Sequence, residues 1–201
     1  MSLEGKNLTF AYRCRSKELV LQGVNLTLEE GERLGLSGPS GRGKSTLCRL
    51  LAGYERPTGG QVLLDGAPLT HQRGRPSPVQ LLWQNPELAV DPLLPLGRTL
   101  EEGGPVEERI LERLYIQPEW KRRYPSELSG GELQRFCIAR ALGPATRFLL
   151  CDESTAMLDL VTQAQIWDFL LEEAQRRNLG LLVVSHSDTL LHRLCTRIQI
   201  L

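Results

Sequence analysis

Gly38-Pro39-Ser40-Gly41-Arg42-Gly43-Lys44-Ser45 is the stretch that decides the fold. It fits G-x-x-x-x-G-K-[ST] and lies between a short predicted strand, Arg33 to Ser37, and an apolar helical segment, Thr46 to Ala52, which is the context the pattern requires. Glycines let the backbone curl so that its N–H groups face a polyphosphate. The helix start adds positive potential, Lys44 neutralises the outer phosphates, and Ser45 offers a hydroxyl to Mg²⁺. A glycine-rich turn without a ligand is the plainer reading. With each specified residue type at roughly 7% of positions, a chance match in a chain this long is on the order of one in a hundred, which favours the phosphate loop.

On the N-terminal side, Leu8, Phe10 and Tyr12 alternate along one face, and Val24, Leu26 and Leu28 repeat the pattern of half-buried strands. Residues 1–30 are therefore expected to be antiparallel, and Gln61 to Leu64 before Asp65-Gly66 reads as a return to that sheet through a tight turn. From Gly74 to Pro95, prolines 76, 78, 86, 92 and 95 break any long helix or central strand, leaving a connector. Short helical candidates follow around Val106 to Leu114. Glu101, Glu102, Glu107 and Glu108 flank them on one side and Lys121, Arg122 and Arg123 on the other, as a solvated surface or a docking face. Beyond Ser129 the pattern alternates between helix and buried strand. Leu133, Phe136, Cys137 and Ala141 recur at helical spacing, and Phe148 to Cys151 is a continuous apolar run. Leu160, Ala164, Trp167, Leu171 and Ala174 mark a second amphipathic helix, and Leu181 to Val184 another buried strand. Such alternation predicts a parallel sheet with helices on both faces.

In open α/β sheets ligands bind at the carboxyl ends of strands, and three further groups stand at such ends. Asp152 and Glu153 close the apolar run at Phe148; Asp152 suits a metal's shell and Glu153 suits orienting or deprotonating an attacking water. His186 follows the strand at Leu181, where an imidazole meets a terminal phosphate, while His71 and His192 stay unassigned. Gln84, after the short run at Leu81, has an amide within reach of a metal or water. Leu128-Ser129-Gly130-Gly131-Glu132 is a second glycine turn opening a helix, read either as a helix cap or as a second anion cradle. One triphosphate rarely needs two cradles from one chain, so a symmetric head-to-tail dimer is expected, each copy's second cradle closing over the other's nucleotide.

Composition narrows the classes. The chain has 201 residues, enough for one domain with a core, and 24 basic against 24 acidic side chains. That balance argues against nucleic-acid or membrane-surface binding as the main activity. No apolar stretch reaches the roughly 18 residues of a membrane helix, and the start MSLEGKNLTF lacks the order of a signal peptide, so a cytoplasmic chain is expected. Cys14, Cys48, Cys137, Cys151 and Cys195 form an odd set without C-x-x-C and are read as reduced core thiols.

Together these motifs resemble the ATP-binding cassette (ABC) ATPases from about Tyr12 to the C-terminal end. Tyr12 matches the aromatic that stacks on adenine and Gly38 to Thr46 the Walker A loop, with Thr46 as its last residue. Gln84 matches the Q-loop glutamine, Leu128 to Glu132 the signature, Asp152 and Glu153 the Walker B pair, Asp159 the D-loop aspartate and His186 the switch histidine. The resemblance implies a P-loop NTPase (RecA-like) α/β core, an antiparallel β subdomain and a small helical subdomain inserted at about residues 86–128. It implies ATP and Mg²⁺ as ligands, with Ser45, Gln84 and Asp152 around the metal and Lys44, Gln84, Glu153 and His186 in catalysis. It also implies a second cassette as partner, permease subunits in the membrane, a place on the cytoplasmic face of the membrane, and no nucleic acid. Gln84 to Pro92 and Leu158 to Gln165 are similar to the dipeptide, oligopeptide and nickel importers, so import of peptides or metal complexes is expected. Ser154 stands where the family often has proline, Ala156 where it has serine and Ser187 where it has aspartate. The chain stops at Leu201, where such proteins usually continue, as expected of a C-terminally shortened or a minimal member. The rivals are a cassette of DNA repair or translation, which usually carries long coiled-coil or basic insertions, and a nucleotide-binding regulator that hydrolyses nothing.

Overall fold

Successive residues of the central strands face two separate cores, and that alternation organises the whole chain. The computed structural model describes residues 1–12, 19–70, 74–156 and 158–201; Cys14 and His71 lie outside them. The elements in order are β1 (Ser2–Phe10), β2 (Leu21–Glu29), β3 (Arg33–Ser37), α1 (Lys44–Leu51), β4 (Gly59–Leu64), β5 (Ala67–Pro68) and β6 (Val79–Leu82). Then come α2 (Leu96–Glu101), α3 (Glu108–Arg113), α4 (Gly130–Ala141), β7 (Phe148–Asp152), α5 (Leu160–Arg177), β8 (Gly180–Val184), α6 (Asp188–Leu194) and β9 (Arg197–Ile200). Five strands form a parallel sheet in the order β6-β7-β8-β3-β9, and four form an antiparallel sheet in the order β2-β1-β4-β5.

On one face of the parallel sheet, Leu34, Leu36, Phe148, Leu150, Leu182 and Val184 pack on α1 through Leu47, Cys48 and Leu51, and on the antiparallel sheet through Leu3, Leu8, Leu26 and Leu28. On the other face, Leu149, Cys151, Leu181 and Val183 pack on α4, α5 and α6 through Phe136, Phe169, Leu170 and Leu191. Each leucine taken fully out of water contributes about 1.5–3 kcal/mol, so α1 is held mainly by what it buries on both sides. The second core continues through Leu96, Leu100, Ile110, Leu111 and Leu114 into the short helices between residues 86 and 128. Cys48, Cys137, Cys151 and Cys195 are free thiols, and burial pushes Cys137 up to about 11, which keeps it protonated at neutral pH.

Several expectations need correcting. The connector from Gly74 to Pro95 contains β6, an edge strand of the parallel sheet; Pro76 and Pro78 precede it and Pro86 follows, so no proline removes a ladder hydrogen bond. The buried stripe of α5 is Ile166, Phe169, Leu170 and Ala174 together with Trp167, whereas Leu160 is exposed and Ala164 and Leu171 only half-buried. Adjacent apolar pairs along that helix allow more than one stripe at helical spacing, and packing chose the other. Along β1 the alternation slips at Asn7, whose φ of +51° marks a break in register between Gly5 and Leu8. Gly60 in β4 meets that bulge with φ +76°, and a Cβ there would collide with the carbonyls of Lys6 and Asn7. The acidic flank is exposed at Glu101, Glu102, Glu107 and Glu108, as a solvated surface is, and three of these carboxylates are paired. Glu101 pairs with Arg98, Glu102 with Arg140 and Glu107 with Arg176. Buried Glu173 of α5 is held by Arg176 and by Arg109 of α3, tying the short helices to the core.

The two sheets are clamped at one corner by Arg147, just before β7. Its Nε donates to Glu30 Oε1 at 2.6 Å, and its Nη1 and Nη2 donate to the two carboxylate oxygens of Asp65 at 2.7 and 3.0 Å. Asp65 and Gly66 form the β4–β5 turn with φ of +53° and +79°, as Asp-Gly hairpin turns require. The Arg147 guanidinium holds the Asp65 carboxyl below the usual carboxylate range, so its contribution to stability is present above its unfolded pKa and lost as pH falls through the folded value. Asp65→Asn keeps the turn chemistry and removes the charge. Because Asp65 is partly solvated, the cost expected at pH 7 is only about 1 kcal/mol, a fall in Tm of about 2–4 °C, shrinking as pH falls below the unfolded carboxylate value of about 3.9 and through the lower folded one. Thermal unfolding of both proteins from pH 7 to pH 2 checks this; a Tm difference that stays constant down to pH 2 contradicts it.

Candidate active site

The carboxyl ends of β6, β7, β8 and β3, neighbours in the sheet, bring most of the expected site residues to one edge. After β3 the loop from Gly38 to Gly43 turns through positive φ at Gly38, Gly41 and Gly43, and α1 begins at Lys44 with no side chain capping its first turn. Among the described residues no side chain accepts from the N–H groups of that turn, which face an anion-favouring potential. Gly43 packs so closely against the antiparallel sheet that a Cβ would lie 2.8 Å from Leu21, which fixes the loop from behind. Lys44 is buried, and its Nζ donates to the carbonyls of Gly38 at 2.7 Å and Pro39 at 3.0 Å. Its charge is thus held across the mouth of the loop, whose Ser40, Gly41 and Arg42 are exposed.

Every residue of β7 is buried, so Asp152 at its end is delivered into a dry position. Ser45 Oγ donates to Asp152 Oδ1 at 3.0 Å. Burial pushes the Asp152 carboxyl up, the Ser45 hydroxyl opposes the shift, and the neighbouring charge of Glu153 adds to it. An oxygen-only set of this kind suits a cation that completes its shell with phosphate and water. Among the described residues no cluster of three His, Cys, Asp or Glu side chains forms a metal cage of its own, so the chain by itself offers only part of a shell.

Glu153 has φ +49°, a costly conformation for a residue with a Cβ. Its carboxylate lies between two strand ends. Gln84 Nε2 donates to Oε2 at 3.2 Å, and His186 Nε2 lies 2.8 Å from Oε1. An ionised carboxylate can only accept, so the histidine contributes the proton of that contact. Glu153 and His186 also line a cleft of about 400 Å³ between α5 and α6.

Other expected residues sit apart from this group. The Tyr12 ring is partly exposed and packs edge-on against Phe10 at 4.8 Å; its hydroxyl is 3.2 Å from Thr46 Oγ1 and accepts from Arg49 Nη1 at 3.2 Å. The Thr46 side chain is thus engaged with Tyr12. Asp159 caps α5, accepting from the N–H groups of Val161 and Thr162. Ser129 caps α4 in a reciprocal box with Glu132. Its Oγ accepts from Glu132 N at 3.3 Å and donates to Glu132 Oε2 at 2.8 Å, while Ser129 N donates to the same carboxylate at 2.8 Å. Among the described residues, Ser129, Gly130 and Gly131 make no hydrogen bond to the phosphate loop of their own chain. Sequence reading missed the support behind Glu153: Thr155 Oγ1 accepts from Gln163 Nε2 and Trp167 Nε1, both at 3.0 Å. The signal available was Trp167 itself, since a buried indole N–H needs an acceptor.

A family model described as "ABC transporter" matches residues 21–156. The nickel import ATP-binding protein NikE of Rhodospirillum rubrum is 38% identical over 199 residues, covering 90% of this chain and 72% of that protein. A putative peptide import ATP-binding protein of Brucella ovis is 33% identical over 217 residues, covering 99% of this chain and 68% of that protein. The dimeric post-hydrolysis state of the ATP-binding cassette MJ0796 bound to ADP and Pi superposes with a TM-score of 0.83 at 27% identity, covering 99% of this chain and 94% of that chain. The fold is a P-loop NTPase core with an antiparallel β subdomain and short inserted helices. The chain belongs to the ABC transporter family, as the ATP-hydrolysing subunit of such a transporter.

Proposed function

We propose that two such subunits sandwich two ATP molecules and drive import through membrane permease subunits, with peptides or nickel complexes as cargo. The single observation that carries the hydrolytic part is the Glu153 carboxylate held between Gln84 and His186 beside Lys44, Ser45 and Asp152. The cargo reading rests on the names of the nickel and peptide import relatives. No described helix is long and apolar enough to cross a membrane, so the proposed path for cargo lies in other chains, with this one docked at the cytoplasmic face. The balance of 24 basic and 24 acidic side chains speaks against a repair or translation cassette gripping nucleic acid.

In the proposed reaction a water oxygen attacks the γ-phosphorus in line, the bond to the bridging oxygen breaks and ADP leaves. Glu153 orients that water and takes its proton; Lys44 leaves its carbonyl partners to neutralise the outer phosphates, and His186 contacts the terminal one. Ser45, Asp152 and Gln84 would hold Mg²⁺, which supplies Lewis-acid polarisation of the phosphate oxygens when bound. Ser129, Gly130 and Gly131 act on the partner copy's nucleotide, which gives a use to a cradle left idle within its own chain. Tyr12 presents its outer ring face to the base, and Asp159 holds the start of α5 at the same edge. The segment from Gln84 through the helices at about residues 86–128 passes closure to the permease.

Glu153→Gln is expected to lower turnover by about 10²–10⁴-fold while ATP-dependent dimers accumulate on size-exclusion chromatography. Unchanged hydrolysis would remove Glu153 from its role. Trapped with ATP in native membranes, the same variant should co-purify with integral membrane proteins; ribosomes or DNA in their place would overturn the transport reading. Asp152→Asn should raise the Mg²⁺ concentration for half-maximal ATP turnover by about tenfold or more, equivalent to at least about 1.4 kcal/mol. An unaltered Mg²⁺ dependence would take Asp152 out of the metal's shell.

A further inference from the structure

Glu153 keeps an unfavourable backbone conformation, and something must hold it there. Its own backbone contributes two contacts, Glu153 N donating to Val184 O at 3.2 Å and Ala156 N donating to Glu153 O at 3.0 Å. The adjacent side chains add little. Ser154 Oγ is buried without a hydrogen-bond partner among the described residues, and Ala156 has no polar group to offer. Thr155 is different. It is 3% exposed, and its Oγ1 accepts from both Gln163 and Trp167 of α5. Gln163 Nε2 also reaches the Thr155 carbonyl at 3.3 Å. Residues 163 and 167 are four apart and share a helix face, so both donors aim at one point on the loop. The helix is a firm anchor, since Ile166, Phe169 and Leu170 are buried in the core and Asp159 caps its start. Thr155, Gln163 and Trp167 line the same cleft as Glu153 and His186.

We infer that Gln163 and Trp167 are positioning residues of the hydrolysis step: through Thr155 they fix the loop that carries Glu153, so that its carboxylate stays between Gln84 and His186. The inference rests on the reading that Glu153 handles the attacking water. A displacement of about 1 Å at such a group costs up to about a hundredfold in rate, whereas nucleotide binding at the phosphate loop depends on other contacts.

The test compares Thr155→Val, Trp167→Phe and Gln163→Leu with Thr155→Ser, in the full chain and per mole of nucleotide-binding protein. Thr155→Val preserves shape and removes the acceptor; Trp167→Phe removes the indole N–H; Thr155→Ser keeps the hydroxyl. Expected is a ten- to hundredfold loss of kcat in Thr155→Val, smaller losses in Trp167→Phe and Gln163→Leu, and Kd for ATP within about twofold of the parent throughout. Thr155→Ser should retain kcat within about threefold. Combined with Glu153→Gln, Thr155→Val should cost nothing further, because its effect passes through that carboxylate. Unchanged kcat in Trp167→Phe and Gln163→Leu overturns the inference, also where Thr155→Val does not fold. So does a weakening of ATP binding that matches the loss of rate. If Glu153→Gln itself hydrolyses ATP normally, the proposed role of Glu153 fails first, which separates the two failures.

Discussion

A carboxylate held between an amide and an imidazole from two other strand ends is the contact on which the rest of this molecule depends. Gln84, Glu153 and His186 follow β6, β7 and β8, which are adjacent in the sheet, so the contact exists only while those three strands keep their parallel order and register. Parallel strands need covered faces, and the two cores supply that cover: α1 and the antiparallel sheet on one side, α4, α5 and α6 on the other. The phosphate loop joins the group because β3 lies next to β8, and its Gly43 is pressed against Leu21 of the antiparallel sheet. Folding and chemistry therefore share one requirement, that the carboxyl ends of four strands stay level.

Much of this was legible in the residues. The phosphate loop announces itself because only glycine tolerates its backbone angles, and lysine and serine must follow at fixed spacing. Asp152, Glu153 and His186 were legible because each follows an apolar run of strand length. The edge strand β6 was harder to see, for prolines crowd its flanks and the criterion that excludes a central strand says little about an edge. The true buried stripe of α5 was hidden by Leu160, Val161 and Leu171, which offer a second apolar arc at helical spacing. Long-range polar contacts left no pattern at all. Nothing in the order of residues says that Arg147 clamps Asp65 and Glu30, or that Arg109 and Arg176 meet over Glu173.

Those polar ties do separate jobs. Arg147 holds the two sheets together at a partly solvated corner, where loss of charge is cheap. Glu173 is fully buried beneath Arg109 and Arg176, so removing either cation leaves the buried charge with a single partner, and loss of charge costs more at the junction between the short helices and the core than at that corner.

In the proposed assembly one chain contains two half-sites, its own Lys44 and a Ser129 that serves a neighbour. Complementation tests it directly. Lys44→Ala and Ser129→Arg copies, each inactive alone, are mixed in equal amounts and assayed for ATP turnover. Random pairing gives half the dimers one intact composite site, so about a quarter of parental activity should return. If the mixture stays as inactive as its components, although mixed dimers form, Ser129 does not act across the pair and the proposed sandwich is excluded.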